Sequence, residues 1–175
     1  MRTSIAGLVS AALVVLGGAS PMIADEGDPA GWSVATDRRG RAFLVWTPEQ
    51  GGERILMLGC LRDAETFTTM SNAVGERDEI ATAKIALSNG PHLFEVDGSV
   101  TNYPHLGRSS FISDLDADRR RMLELGRKLM PVLEGKGDIT LTITPGTAGG
   151  ASTTQQLPTA GITPAVQVFA KVCFK

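Results

Sequence analysis

Residues able to do chemistry are scarce in this chain. It has two histidines, two cysteines and one tyrosine in 175 residues. His92 and His105 each follow a proline in turn-like sequence, and neither has a cysteine or second histidine at metal-ligand spacing. No glycine-framed serine elbow marks Ser109 or Ser110 as a histidine's nucleophile. Glycine-rich phosphate loops, internal repeats and coiled-coil heptads are missing as well. Both histidines therefore read as ordinary loop residues, and no catalytic, cofactor-binding or metal-binding residue is assigned.

Excess positive charge is also lacking. Lys+Arg numbers 17 against 19 Asp+Glu, a net charge of −2, which leaves no electrostatic footprint for nucleic acid. The run Arg119-Arg120-Arg121 lies among Asp114, Asp116, Asp118 and Glu124, so it reads as a solvated, salt-bridged helix face. Those aspartates are not a calcium loop, which needs glycine at its sixth position and glutamate at its twelfth. Arg119 and Leu125 stand there instead. Capping of the following helix uses the same acids with nothing missing.

The longest apolar run, Ile5 to Leu16, is too short to cross a bilayer comfortably. It follows Arg2 and precedes Gly17-Gly18-Ala19-Ser20, the order of a secretory signal peptide over residues 1–24. Cleavage after Ala24 is expected, with Ala19 as the alternative. An uncleaved anchor is the weaker reading on length. No cysteine follows the small residues, so lipid anchoring is not indicated. Residues 25–175 then form one periplasmic or secreted domain. Its charge is −3, because Arg2 is the one charge removed: 16 Lys+Arg against 19 Asp+Glu.

An even cysteine count in an oxidising space points to a disulfide, Cys60–Cys173. Two free thiols are the rival reading, and metal binding is weaker for want of neighbouring ligands.

The stretch 113–144 carries the clearest pattern. Met122, Leu125, Leu129 and Leu133 recur at helical spacing with Gly126 and Met130 beside them, giving one long amphipathic helix with a kink or end near Pro131. After Gly135-Lys136-Gly137, Ile139, Leu141 and Ile143 alternate with threonines, a half-buried strand. Upstream, short apolar segments opening at Trp32, Ala42, Ile55, Thr66, Ala83 and Leu93 are separated by turns, which argues antiparallel pairing. Residues 72–79 read as a polar loop, and Ser88 to Pro91 as a turn. Asp97-Gly98 reads as a hairpin turn, Pro145 to Gln156 as a loop, and Thr163-Pro164 as the start of a terminal helix. The expected fold is α+β: a mostly antiparallel sheet or small sandwich, about eight strands, one long helix and a C-terminal helix tied by the disulfide.

Several short segments resemble the invasion-associated locus B family of exported alphaproteobacterial proteins. They are Gly31-Trp32-Ser33-Val34, Leu93-Phe94-Glu95-Val96-Asp97-Gly98, Met122 to Gly137 leading into Asp138-Ile139-Thr140-Leu141-Thr142-Ile143, and Leu157-Pro158-Thr159-Ala160-Gly161-Ile162. The family's further cysteines are absent: Ala35 or Thr36, and Ser109 to Ile112, stand where they would fall. The late segment also lacks the family's serine–leucine and phenylalanine. The resemblance implies a β-rich periplasmic or surface protein linked to host-cell interaction, with no catalytic residues to carry over.

Three functional expectations follow. The first is an exported, non-enzymatic protein that binds an envelope or host-related partner. The second is a carrier of a small apolar ligand, with Phe43, Trp46, Met57 and Met130 as candidate lining. The third is a hydrolase pairing His92 or His105 with a carboxylate. Separately, a carboxylate pair for glycoside hydrolysis needs two acids facing each other across a cleft; Glu95 and Asp97 share one strand face, which an ordinary polar strand also gives.

Overall fold

The computed structural model describes residues 29–74, 79–146 and 150–175. Residues 1–24, expected from the sequence to be a signal peptide, lie outside them. Nine strands form one antiparallel sheet in the order β1-β2-β3-β4-β7-β6-β5-β8-β9. They are β1 Gly31–Thr36, β2 Arg41–Thr47, β3 Leu56–Leu61, β4 Thr66–Ser71, β5 Ile80–Asn89, β6 His92–Tyr103, β7 Arg108–Asp116, β8 Ile139–Pro145 and β9 Thr153–Leu157. Helix α1 (Arg119–Leu133) joins β7 to β8, and α2 (Ile162–Cys173) ends the fold. The antiparallel, two-helix architecture expected from the sequence is present as a single sheet among the described residues.

Register divides the sheet into two faces. Ala42, Leu44 and Trp46 of β2 stand opposite Cys60, Leu58 and Leu56 of β3, and these continue to Phe67, Thr69 and Ser71 of β4. On this face lies the core, shared with Met122, Leu125, Leu129, Val132 and Leu133 of α1 and Ile162, Val166 and Phe169 of α2. Both helices therefore cover one side. Strand β8 alternates cleanly: Ile139, Leu141 and Ile143 are fully buried, while Thr140, Thr142 and Thr144 face outward.

Several details depart from the sequence reading. Helix α1 has 15 residues. At 1.5 Å per residue that is roughly 22 Å, an ordinary helix rather than a long one. Pro131 does not stop it, because the chain stays helical to Leu133. Only Asp118 caps it, accepting from the Arg121 N–H at 2.7 Å. Asp114 and Asp116 belong to β7. Asp97-Gly98 is no turn: β6 runs straight through it for 12 residues. Gly98 is needed for close packing instead, since a Cβ there would meet the Ile112 carbonyl and lie 2.6 Å from Phe111 Cζ. The real hairpin turns at Gly90-Pro91, with Asn89 facing His92 and Gly90 at φ +58°. Part of the expected loop after Pro145 is strand β9, held by hydrogen bonds such as Thr140 Oγ1 to Gln156 Oε1 at 3.1 Å. Helix α2 starts one residue before Thr163, and its cap is Gly161 at φ +75°. In the loop after β4, Ala73 and Val74 are buried, and residues 75–78 are outside the described set.

Candidate functional site

The sheet's other face carries the candidate site. Register places Ser33, Val45, Met57, Met70, Ile112 and Ser99 in one cross-strand row over β1, β2, β3, β4, β7 and β6. The middle four are apolar, and none of them belongs to the core beneath the helices. Beside the row lies Phe43, over Gly59: a Cβ at Gly59 would come within 2.7 Å of Phe43 Cδ1. Val45 and Met57 are closed over by their neighbours, and Phe43, Met70 and Ile112 stay half-buried. Among the described residues no helix covers this side.

Why β2 and β3 build such a surface follows from their composition. Ala42-Phe43-Leu44-Val45-Trp46 and Leu56-Met57-Leu58 are apolar at successive positions, so both faces of each strand are apolar. The opposite half of the same face is polar. There Lys84 pairs with Glu95 at 3.8 Å, and the β8 threonines bond to Gln156, Thr154 and Ser152.

Beside the middle of the apolar row is a cavity of about 170 Å³, lined by Glu53, Arg54, Met57, Met70, Ser71, Asn72 and Arg108. Met57 and Met70 are directly opposite each other in register. Asn72 forms a fixed wall, its Nδ2 donating to the Arg54 carbonyl at 2.9 Å and its Oδ1 accepting from the Ser110 hydroxyl. Arg108 Nη1 donates to Glu53 Oε1 at 2.6 Å. Arg108 Nε is buried and, among the described residues, lacks a hydrogen-bond partner.

Cys60 and Cys173 form the expected disulfide, with Cα atoms 5.8 Å apart. The other expected groupings are dispersed. His92 and His105 are both exposed and flank opposite ends of β6. A strand of that length spans on the order of 35 Å, so the two histidines share no site. His105 stacks edge-on against Tyr103, and Ser110 gives its proton to Asn72. Glu95 and Asp97 are exposed on one strand face, and neither lines any of the three cavities described here. No group of three or more His, Cys, Asp or Glu among the described residues is placed to hold a metal ion.

The carrier lining is divided by the sheet. Phe43 and Met57 are on the uncovered face, whereas Trp46 packs against Trp32 on the core side at 5.6 Å and Met130 belongs to α1. Two other surface cavities occur among the described residues. One of about 160 Å³ lies beside Cys173 and Phe174, and an open one of about 420 Å³ is lined by Glu65, Asp116, Asp118 and Arg121 with two alanines. No helix among the described residues is long and apolar enough to cross a membrane.

Sequence reasoning picked out Met57 and Phe43 but missed Met70, Ile112, Glu53, Asn72 and Arg108. The available signal was the unbroken apolar run in β2 and β3, which in an antiparallel sheet implies an apolar second face. Comparison with known proteins yields no matching family model, no matching curated protein and no matching solved structure.

Proposed function

We propose that this is an exported, non-enzymatic protein that binds a partner in the bacterial envelope or at the host interface through the uncovered apolar half of its sheet. The observation that carries the reading is the Val45–Met57–Met70–Ile112 row on the face away from the helices, with Met70 and Ile112 half-buried and a polar-rimmed cavity beside Met57 and Met70 at its middle. Contiguous apolar surface on a sheet face is characteristic of interaction sites. Methionine suits such a site, because its flexible thioether adapts to a partner's shape.

Support for export comes from the disulfide, which persists in oxidising compartments, and from the signal-like segment 1–24. The resemblance to the invasion-associated locus B family supports the envelope or host-interaction setting.

The test is photo-crosslinking in intact cells, with a photoreactive residue at position 70, 112, 142 or 154. Adducts to one and the same envelope protein from 70 and 112, and none from 142 or 154, are expected. Adducts spread evenly over all four positions, or none at 70 and 112, would refute the reading.

A further inference from the structure

We infer that the partner seated on the uncovered face is a basic amphipathic helix, with its apolar stripe over the row and its lysines or arginines over the acids of β6 and β7. The inference rests on the uncovered face being the binding surface and assigns the chemistry of its occupant.

Charge selects the occupant. Asp114 stands two residues after Ile112 on β7, and Asp97 two before Ser99 on β6. Ile112 and Ser99 pair antiparallel, so the two acids fall side by side, about 7 Å beyond the row. Both are exposed, as is Asp116 two residues further along β7. None of the three has an ion pair among the described residues. Lys84, opposite Asp97 in register, reaches Glu95 at 3.8 Å instead. Asp116 shares an open cavity with Arg121, but with Glu65 and Asp118 too, so that corner stays negative. On the row's other flank the charges are engaged, Arg108 by Glu53 at 2.6 Å and Arg54 as well. Half-buried Phe43, Met70 and Ile112 are thus bordered on one side by unpaired carboxylates, and a field of that sign draws a cationic partner.

Geometry selects a helix. An extended segment laid on a sheet face leaves its own backbone N–H and C=O groups unpaired, whereas a helix satisfies them internally. From β2 to β6 the row crosses four inter-strand steps, about 19 Å, which about 13 helical residues cover. The helix pitch of about 5.4 Å is also close to the ~4.8 Å strand spacing, so successive turns meet successive strands. The chain's own basic helix face fits less well. Arg119, Arg127 and Lys128 of α1 are exposed, but Leu123 is the one exposed large apolar side chain on that helix, so a second copy would cover little of the row.

The test titrates the disulfide-bonded protein with peptides of about 14 residues: a Leu/Lys amphipathic helix, the same composition scrambled to break the stripe, and a Leu/Glu counterpart. Methionine ¹³C-methyl NMR locates the binding. The striped Leu/Lys peptide should shift the Met70 and Met57 methyls saturably and leave buried Met122 unmoved, with both controls about tenfold weaker. D97N/D114N should weaken its binding about tenfold. D138N, which neutralises an exposed acid just before β8, should change nothing. Asp97 and Asp114 are exposed, so the double variant keeps its fold, which a urea midpoint verifies.

Equal binding by either control peptide, or striped-peptide binding that D97N/D114N leaves unchanged, would overturn the inference. So would self-association in sedimentation velocity that D97N/D114N and R119Q/R127Q both abolish, because it would seat a second copy's α1 on the face. Crosslinks from positions 70 and 112 without preference for the basic helix would sink the charge selection and leave the partner-binding surface standing. Preference for the basic helix without crosslinks would do the reverse.

Discussion

The Trp32 indole Nε1 donates to the Pro158 carbonyl at 2.6 Å, joining the first strand of the sheet to the residue that follows the last. β1 and β9 are the two edges of a nine-stranded sheet, yet this bond spans 126 positions to connect them. Trp32 also packs on Trp46, and α2, which starts just beyond Pro158, packs on β1 and β2. The bond thus fixes where the terminal helix enters the core.

Replacing Trp32 with Phe keeps a ring against Trp46 and deletes the donor. The expected cost is about 1–2 kcal/mol, from the lost bond and the smaller ring. Amide exchange should quicken in β1 and residues 157–162 before it does in β6. Uniform quickening across the sheet would argue that the bond has no local role.

Gly98 gives a second prediction. G98A should lose about 1–3 kcal/mol by overpacking, because the Ile112 carbonyl belongs to the paired strand β7 and cannot swing away. G59A should cost less, since a Cβ there meets side chains, Thr68 and Phe43, and Phe43 is only half-buried. Urea midpoints of the two variants decide the order. Had Asp97-Gly98 been a hairpin turn, G98A would have strained the backbone and left β7 untouched.

How much of this was legible follows from what fixes each element. The alternation of β8, the stripe Met122-Leu125-Leu129-Leu133 and the Cys60–Cys173 tie are written in spacing and count, and all three hold. Asp97-Gly98 misled because turn chemistry and close strand packing select the same residue, and only the partner strand decides between them. β9 was hidden because Thr153-Thr154-Gln155-Gln156 gains its strand conformation from pairing with β8 rather than from an apolar pattern of its own. The cavity was beyond reach: Glu53, Asn72 and Arg108 lie far apart in the chain and meet only through the β3-β4-β7 order.

Asn89 acts as a clamp. Its Nδ2 donates to the carbonyls of Val132 and Gly137, each at 3.2 Å, tying the end of β5 to the end of α1. The residue is 3% exposed, so N89A leaves two carbonyls short of a donor and should cost about 2 kcal/mol. N89D should be worse at neutral pH, because a carboxylate would face the same two carbonyls. If N89D were as stable as wild type at pH 7, the clamp would be disproved.

Asp37 closes the β1–β2 turn. The backbone N–H of Arg41, opposed by some desolvation and helped by the N–H and charge of neighbouring arginines, holds its carboxyl below the usual carboxylate value. The N–H bonds from Arg39 and Arg41 measure 2.8 and 3.1 Å, and Arg41 Nε is 2.8 Å from Oδ2. A depressed folded pKa means the stabilisation is complete above the unfolded value of about 3.9 and fades as pH falls through the folded one. D37N should therefore be less stable than wild type at pH 7, with the gap closing below about pH 4. A gap independent of pH would assign the effect to packing.

The disulfide offers a test of mechanism as well as of presence. Cys60 and Cys173 are 113 residues apart, and closing a loop of that length is worth about 5 kcal/mol in the chain-entropy account. That account places the effect in the unfolded chain. In the folded protein, α2 keeps its buried face of Ile162, Ala165, Val166 and Phe169, and Arg62 Nη1 still reaches the Val172 carbonyl at 3.3 Å. The C60A/C173A double variant should therefore lose up to about 5 kcal/mol in urea unfolding. Its slowest-exchanging amides should lose protection by the same amount throughout the sheet and in α2. Protection lost in α2 alone would show instead that the bond pins a helix whose packing cannot hold it. Thiols that alkylate freely in unreduced protein isolated from its native cells would remove the bond from the account altogether.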